Sequence, residues 1–426
     1  MRSLMNKKSD DILILNVHEK DSSKMNDFAD FNAAELIRNF GSGSVFYFSD
    51  YAARHGIKKT EARIKKEIIE RSTSIVVFAP NGDNYELSIE FFRDISVSLG
   101  VKNVLLVLDD DMIFDTHSKY YSQVFDAVIT CDYFATFAYK KLGVPALYYF
   151  SSYRKEDFYP VNVKKDIDVS FIGDCTKGDR MSYINLLRDN GIAVQIFGEG
   201  SPGGFISREQ MPLTFSRSRV NLNFTKLDYA SAKSWFLEEN NLTNLMRQNK
   251  GRPMEISLSG AFCLSEYTPS IDAAFEIERE IDVFYGPEDL LAKVRYYIEN
   301  ESIREQMAES AYKKALNFYE AEVLIPRLTT ELREVLRCSI YPQRSLRIFK
   351  DYAFKRNHTV RLAIISLYHL SRLRLFNSIE AARESFQYGP CMALRGFFKA
   401  LQITISKVFI KARERRQKRP VTGGQP

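Results

Sequence analysis

The stretch Asn249–Glu266 reads NKGRPMEISLSGAFCLSE and combines the signals of a helix with those of a buried strand. Gly251 allows an unusual backbone turn, and Pro253 fits the first turn of a helix. Gly260 ends that helix before the apolar run AFCLSE, which has the composition of a strand. The stretch therefore predicts one helix-to-strand connection of a parallel α/β sheet.

The same alternation of apolar runs and amphipathic stretches continues in both directions along the chain. The predicted strands share short runs of Val, Ile and Leu, and they are Ile12–Val17, Ser44–Phe48, Ser74–Ala79, Asn103–Leu108, Ala127–Cys131, Ala146–Phe150, Asp168–Ile172, Ala193–Phe197, Val220–Phe224, Ala261–Glu266 and Ile281–Phe284. Strands of this kind, separated by crossover helices, indicate doubly wound parallel sheets.

A polar and charged stretch that contains a proline, Ser151–Asp166, divides these strands into two sets. Such a stretch is typical of a domain linker. We therefore expect an α/β protein with two Rossmann-like doubly wound domains, residues 1–155 and 165–335, facing each other across a cleft. Residues 340–426 are expected to form a basic helical extension. Because ligands of such sheets bind at the carboxyl ends of the strands, the cleft is the expected site.

Cysteine usage and hydropathy argue against several classes of protein. The five cysteines are scattered through the chain, without the spacing of a zinc site or a disulfide framework. The N-terminal residues have the character of a lead-in to the first strand and not of a secretion signal. No window offers roughly 18 uncharged apolar residues, so we expect no membrane-spanning helix. These features together predict a cytoplasmic protein.

The extension carries most of the positive charge. Residues 340–426 contain 18 Lys/Arg against 4 Asp/Glu, although the net charge of the whole chain is only +6. Basic amphipathic helices suit an anionic membrane surface, and a peripheral position on the inner membrane face would follow. The alternative is that the helices pack across the two domains with their cations in solvent. Both alternatives stay open for Arg344–Phe376, and the membrane is favoured for Leu394–Arg419. Nucleic acid is not expected, since no recognisable binding module accompanies the charge.

The start of the predicted helix after Gly251 has the chemistry of a diphosphate site. Lys250 and Arg252 lie beside its positive end, and Arg252 can contact two phosphate oxygens at once. Glu255, one turn further on, can accept hydrogen bonds from a ribose diol. The alternative is that these residues only stabilise the start of the helix and bind no ligand, because a Glu in a first helical turn is favourable through the helix dipole alone.

Five elements follow one another in the second half of the chain, namely DVSFIG at 168–173, VNLNF at 220–224, the Arg252-to-Glu255 motif followed by Gly260, a Y-x2-S strand exit at 267–270, and EDLLAKVRYYIENESIREQMAESAYKKAL at 288–316. Through these elements, roughly residues 165–325 resemble the donor domain of group 1 glycosyltransferases with the GT-B fold, especially the spore-maturation-protein-like branch. The first half of the chain matches only loosely.

The resemblance implies transfer of a sugar from a nucleotide-diphosphate-sugar donor to a glycan or lipid-linked acceptor in surface polysaccharide biosynthesis. The donor would be a substrate, and no cofactor is implied. The ribose would bind at Glu255, and the diphosphate at Lys250, Gly251 and Arg252. Further donor-binding candidates at strand exits of the same domain are Lys177, Arg180 and Ser270.

The chain departs from one related pattern. Retaining enzymes of family 4 carry two Glu eight positions apart, whereas the position eight before Glu255 is Arg247. Sugar contacts and stereochemistry are therefore not carried over. Two other functions stay open: a different nucleotide-sugar enzyme, such as an epimerase, and a non-catalytic scaffold with this fold. A phosphorylase would need a longer chain and a lysine-bound cofactor. The presence of Arg252 and Glu255 beside intact glycines favours the transferase.

An inverting transfer needs a base for the acceptor hydroxyl, and the candidates follow strands of the first domain. His18 follows ILILNV, the run Asp109–Asp111 follows NVLLVL, and Asp132 follows AVITC. We expect His18 and Asp110 to be the catalytic residues, although each carboxylate can equally be a loop residue or a helix cap. No metal is expected, because three consecutive carboxylates diverge at a strand exit and the resemblance implies no metal.

Overall fold

The computed structural model describes residues 10–17, 27–80, 87–198, 201–226, 247–249, 251–339 and 351–417. These residues form two parallel sheets with helices packed against them, followed by C-terminal helices. The expected α/β class with two doubly wound sheets and a helical extension is therefore confirmed. We call the first sheet with its helices the first unit, and the second sheet with its helices the second unit.

The first sheet has six parallel strands in the order β2-β1-β3-β4-β5-β6. Its strands are β1 Asp11–Asn16, β2 Ser42–Tyr47, β3 Ile75–Phe78, β4 Lys102–Val107, β5 Ala127–Thr130 and β6 Ala146–Tyr148. Its helices are α1 Asp27–Phe40, α2 Phe48–His55, α3 Ile57–Arg71, α4 Ile89–Leu99, α5 Asp110–Ile113, α6 Lys119–Tyr121 and α7 Tyr133–Lys141. Ile12 and Ile14 lie in the core on one face, and Leu13 and Leu15 lie in the core on the other. Burial of both faces explains the continuous apolar runs.

The second sheet has five parallel strands in the order β11-β10-β9-β7-β8. Its strands are β7 Ile167–Ile172, β8 Val194–Phe197, β9 Ser218–Asn223, β10 Cys263–Glu266 and β11 Asp282–Phe284. Its helices are α8 Arg180–Asp189, α9 Met211–Arg217, α10 Arg252–Leu258, α11 Ile271–Ala274, α12 Pro287–Glu299 and α13 Glu301–Lys314. Leu222 and Leu264 lie in the core on one face of the sheet, and Cys263 lies in the core on the other.

The next helix, α14 at Ala321–Cys338, returns from the second unit to the first. Its buried residues Leu324, Ile325 and Leu328 share a core with Ile12 of the first sheet. The predicted second domain ran to residue 335, and this boundary is corrected by the structure. The apolar face of α14 is buried against the first sheet, where it completes that side of the core.

The chain thus passes twice between the units, through the linker and again just before α14. The two passages lie side by side, because Tyr153 and Glu320 form a parallel bridge. The backbone N–H of Ala321 donates to the carbonyl of Tyr153 at 3.1 Å. The backbone N–H of Lys155 donates to the Glu320 carboxylate at 3.4 Å. We call this pair of passages the paired crossing.

The extension packs on the first unit. Its helices are α15 Tyr352–Ser371, α16 Leu375–Phe386 and α17 Pro390–Gln417. Phe354 of α15 lies in the core of the first unit, and the Tyr120 hydroxyl donates to Asp351 at 2.9 Å. Of the two alternatives for Arg344–Phe376, packing is therefore observed for its described part, and these contacts are made with the first unit. In the residues that the structure describes, no helix is both long enough and apolar enough to span a bilayer.

Candidate functional site

Helix α10 presents the predicted motif next to the linker. Gly251 directly precedes the helix, with φ −66° and ψ −9°, values that any residue adopts. Glycine is required here for a different reason, since a Cβ at this position would lie 2.0 Å from the hydroxyl of Tyr153. The predicted unusual turn is therefore wrong, and the missing side chain makes room for the linker tyrosine. Gly260, with φ 61°, follows the end of α10 as predicted.

Arg252 and Glu255 bind each other within the first turn of α10. Nη1 of Arg252 donates to Oε2 of Glu255, and the two side chains are 24% and 13% exposed. The guanidinium also lies over the Phe215 ring, 5.8 Å from its centroid. The structure therefore brings together Arg252, predicted to bind the diphosphate, and Glu255, predicted to bind the ribose. The two side chains are hydrogen-bonded to each other.

A second cation and the linker tyrosine complete the surroundings of Glu255. The guanidinium of Arg208 lies over the Tyr153 ring, 5.8 Å from its centroid, and Tyr153 hydrogen-bonds to Glu255. Burial raises the pKa of Glu255, against the opposing effects of Arg252, the Tyr153 hydrogen bond and Arg208. Nη2 of Arg208 also lies 3.2 Å from Oδ2 of Asp157, so each of the two guanidinium groups has a carboxylate partner with which an anionic ligand would compete. Sequence reasoning missed Tyr153 and Arg208 because neither lies in a recognisable motif.

Gln248 joins the site to the first unit. Its side chain is 5% exposed, and its Nε2 donates to Oδ1 of Asp109 and, at 3.1 Å, to Oδ1 of Asp111. Its backbone N–H donates to the carbonyl of Thr225 at 2.9 Å, which fixes it to the end of β9. The residues just before α10 therefore meet the carboxyl end of β4 directly. This contact shows that the predicted motif lies where the two units face each other.

The predicted catalytic residue Asp110 is corrected by the structure. Its side chain is 1% exposed and accepts hydrogen bonds from Ser118, from Thr130 at 2.6 Å, and from Tyr139 at 2.8 Å. Burial raises the pKa of Asp110, and these hydrogen bonds lower it. The side chain points into the first unit, so it holds the loop after β4 in place. Its neighbours Asp109 and Asp111 are the carboxylates that reach the second unit.

Three other sequence predictions concern residues that the structure leaves out or assigns to a cap. His18, predicted as catalytic, and Lys250, predicted at the diphosphate, both lie outside the described residues. Asp132 accepts a hydrogen bond from the backbone N–H of Phe134 at 2.9 Å and caps α7. The helix-cap alternative that the sequence left open is thus the observed one for Asp132.

Lys177 and Arg180 lie in the loop after β7 and at the start of α8. Nζ of Lys177 is 3.8 Å from Oδ2 of Asp174, and Nη1 of Arg180 donates to the Asp174 carbonyl at 2.8 Å. The same loop is tied to the exit of β9, because Lys226 and Asp179 form an ion pair. Both predicted residues therefore lie at the carboxyl edge of the second sheet, after the strand next to β9.

Ser270 lies just after β10 at the same edge and has a strained backbone. Its φ of 79° is in the left-handed region, and its side chain is 5% exposed. Helix α11 begins at Ile271, directly after this left-handed residue. Non-glycine residues in this region are uncommon and cluster at functional sites.

A buried carboxylate that the sequence did not single out organises this edge. Glu266, at the end of β10, is 2% exposed and accepts from the backbone N–H groups of Thr225 and Lys226 at 2.9 Å each. Its other oxygen accepts from Arg247. Arg247, the departure from the family 4 pattern, is therefore the partner of a buried acid. An acidic residue at the end of an apolar strand is the signal that could have identified Glu266 in the sequence.

In the part of the chain covered by the structure, no group of three or more His, Cys, Asp and Glu is arranged to hold a metal ion. The charged groups that the structure places near the meeting of the units are guanidinium groups and carboxylates. Such an arrangement can bind an anion on the second unit and accept hydrogen bonds from hydroxyl groups on the first.

Comparison with known proteins identifies the architecture. Residues 182–326 match the model of a family described as glycosyl transferase-like. No curated protein matches the chain at a significant level.

Three solved structures are similar in fold to this chain. A glycosyltransferase from Rickettsia africae is 9% identical, with a TM-score of 0.54 over 78% of this chain and 100% of its own. Sucrose-phosphate synthase from Thermosynechococcus elongatus is 10% identical, with a TM-score of 0.53 over 78% and 100%. HepE from Anabaena, in complex with UDP-glucose, is 12% identical, with a TM-score of 0.51 over 76% and 99%.

The resemblance to group 1 glycosyltransferases is thereby confirmed, and the spore-maturation-protein-like branch stays a prediction. The protein has the GT-B fold of the glycosyltransferases, and residues 182–326 in its second unit are similar to a glycosyl transferase-like family.

Proposed function

We propose that the protein is a glycosyltransferase that transfers a sugar from a nucleotide-diphosphate-sugar donor to an acceptor bound by the first unit. The observation that carries this proposal is the cluster of Arg208, Arg252 and Glu255 at the start of α10. The cluster lies in the second unit, and Gln248 links it to two carboxylates of the first unit. The match to a glycosyl transferase-like family and the UDP-glucose held by HepE support a nucleotide sugar as the donor.

The cluster supplies the groups that a donor of this kind requires. A diphosphate competes with Glu255 for Arg252, because two phosphates offer more negative charge than one carboxylate. Once Arg252 turns to the diphosphate, Glu255 is released to accept hydrogen bonds from the ribose hydroxyls. Arg208 and the predicted ligand Lys250 add positive charge beside the departing diphosphate. We propose that these cations stabilise the leaving group without a metal ion.

The acceptor hydroxyl needs a carboxylate or imidazole nearby in an inverting reaction. Since Asp110 is buried, we propose that Asp109 or Asp111 takes this position. Both carboxylates reach the second unit through Gln248, so both are close to the donor side. His18 remains a further candidate from the sequence.

We also propose that the acceptor is a glycan or a lipid-linked sugar of surface polysaccharide synthesis. The basic extension would hold the enzyme at the cytoplasmic face of an anionic membrane, since residues 340–426 contain 18 Lys/Arg against 4 Asp/Glu. Its contacts with the first unit would then place the acceptor-binding half nearest the lipid.

The test replaces Glu255 and measures binding and turnover separately. We expect Glu255→Gln to weaken binding of UDP or GDP by about 10-fold or more in isothermal titration, because charge-assisted hydrogen bonds to the ribose are lost. Glu288→Gln is the matched control, since Glu288 occupies the first turn of α12, is exposed and lies outside the cluster. Release of nucleoside diphosphate from UDP-glucose and other donors, with and without glycan acceptors, measures turnover.

Equal affinities of wild type and Glu255→Gln for every nucleotide would remove Glu255 from the site. Nucleotide binding without turnover of any donor and acceptor tested would instead favour the non-catalytic scaffold. Interconversion of the donor sugar without transfer would favour an epimerase.

A further inference from the structure

Among the side chains of α17 that the structure describes, three small residues are buried and four large apolar residues are exposed. Ala393 and Ala400 are 0% exposed, and Gly396 is buried with them on the side that packs against α15. A Cβ at Gly396 would lie 2.7 Å from Cγ2 of Thr359 on α15. Small residues at positions i, i+3 and i+7 thus allow the two helices to approach closely.

The opposite side of α17 carries large apolar side chains in solvent. Leu394, Phe398, Leu401 and Ile405 are 63%, 65%, 48% and 47% exposed, and we call them the apolar stripe. At 100° per residue these four positions fall within an arc of about 60°. With a rise of 1.5 Å per residue, the apolar stripe is about 17 Å long. A helix that only packed on α15 would expose polar residues on this side, so the apolar stripe is arranged for another contact.

The charge around the apolar stripe indicates what makes that contact. Arg395 and Lys399 are exposed and lie on one flank of it. Over Pro390–Gln417 the sequence contains seven Lys/Arg and one acidic residue, Glu414. A second copy of this chain would bring the same cations face to face, and they would repel each other. An anionic lipid surface offers an apolar interior for the stripe and phosphate groups for the cations.

We infer that α17 lies in the plane of an anionic membrane, with the apolar stripe in the acyl boundary and the flanking cations at the lipid phosphates. This inference rests on the proposed membrane position of the enzyme and names the element that makes the contact. Helices α15 and α16 join α17 to the first unit, so the acceptor-binding half is the one held at the lipid. A lipid-linked acceptor is therefore favoured over a soluble glycan.

The test uses the full-length protein and vesicle sedimentation. Phosphatidylcholine vesicles with and without phosphatidylglycerol are the two probes. We expect wild type to bind the anionic vesicles and Leu394→Ser/Phe398→Ser to bind them at least about 10-fold more weakly, because two apolar side chains no longer enter the lipid. Arg395→Gln/Lys399→Gln is expected to reduce the preference for anionic over neutral vesicles.

The matched control is Leu375→Ser/Ile379→Ser, which removes two exposed apolar residues from α16. These side chains are 59% and 66% exposed and have the same i, i+4 spacing. We expect this control to bind vesicles as wild type does. UDP titration of every variant shows separately whether the donor site is intact. A variant that loses vesicle binding but keeps normal UDP affinity has lost the membrane contact of α17 without damage to the donor site.

Three results would overturn the inference. The first is a wild-type protein that does not sediment with anionic vesicles, and the second is equal binding of wild type and Leu394→Ser/Phe398→Ser. The third is a wild-type dimer in analytical ultracentrifugation that the same double substitution converts to a monomer, which would assign the apolar stripe to a second copy of the chain. Unchanged UDP affinity in any of these cases would leave the proposed transferase function standing.

Discussion

The carboxyl edges of the two sheets have the same topology and opposite chemistry. The edge of the first sheet presents Asp109 and Asp111 after β4, and their negative charge contributes to raising the pKa of the Cys131 thiol, for which burial is the main cause. The edge of the second sheet presents Arg208 and Arg252. Similar βα connections therefore serve different ligands, according to the side chains placed at the strand exits.

The difference indicates that the two units bind different substrates. Guanidinium groups suit the diphosphate of a donor, and carboxylates suit the hydroxyl groups of an acceptor. A diphosphate placed against the first edge would be repelled by its carboxylates. Each edge also contains one acid that is turned inward, Asp110 in the first unit and Glu266 in the second, and we expect these to maintain the edge and not to contact ligand.

The largest expected effect distinguishes the inward acid of the first edge, Asp110, from its partly buried neighbour Asp109. Asp110→Ala leaves Ser118, Thr130 and Tyr139 without their buried acceptor, so we expect the free energy of unfolding to fall by about 3 kcal/mol or more. Asp109→Asn should change stability by less than about 1 kcal/mol, because Asp109 is only partly buried. Urea unfolding measures both variants. Equal stability of Asp110→Ala and wild type would contradict a stabilising role of these hydrogen bonds. It would return Asp110 to the catalytic candidates.

A smaller effect tests the close approach at the second edge. In Gly251→Ala the new Cβ would lie 2.0 Å from the Tyr153 hydroxyl, so we expect a loss of about 1–3 kcal/mol of stability together with weaker nucleotide binding. Gly286→Ala is the control, because Gly286 also precedes a helix and has nothing within 4 Å of the added atom. Thermal unfolding and UDP titration compare the two. If both substitutions have the same small effect, Tyr153 does not pack against α10 in solution.

The smallest effect concerns the ionisation of Glu255. Burial raises its pKa, and ribose binding needs the ionised form, so donor affinity should be complete above the raised pKa and lost as the pH falls through it. We expect affinity for UDP-glucose to fall by up to about 10-fold per pH unit below that pKa, beginning at a higher pH than for an ordinary Glu. UDP-glucose is suitable because its diphosphate diester does not titrate in this range. A similar fall in Glu255→Gln would assign the titration to another group.

The sequence predicted the architecture well because burial of both sheet faces leaves long Val/Ile/Leu runs. The strands at Ile75–Phe78 and Ile167–Ile172 lie close to their predicted positions for this reason. The position of α14 was not predictable in the same way. Its amphipathic pattern indicates that one face is buried, but it does not tell which of the two sheets covers that face.

The candidate site was predicted only in part, since a motif identifies residues close in sequence. The pairing of Arg252 with Glu255 follows from a spacing of three on one helix. The contacts of Tyr153 with Gly251, and of Gln248 with Asp109, join residues that are distant in the chain, and no local pattern indicates them. Asp110 was misjudged because three consecutive acids look alike in sequence. Only the structure shows that the middle one points inward.

The paired crossing at Tyr153 and Glu320 restricts how the two halves of the molecule can move. Both chain passages are hydrogen-bonded to each other at one place, so we expect any movement of the halves to be a rotation about that point and not a separation there. Tyr153 belongs to this pivot and also contacts Gly251 and Glu255. We therefore expect a nucleotide that rearranges Glu255 to change the angle between the halves as well, so that filling of the donor site and rotation of the halves are coupled.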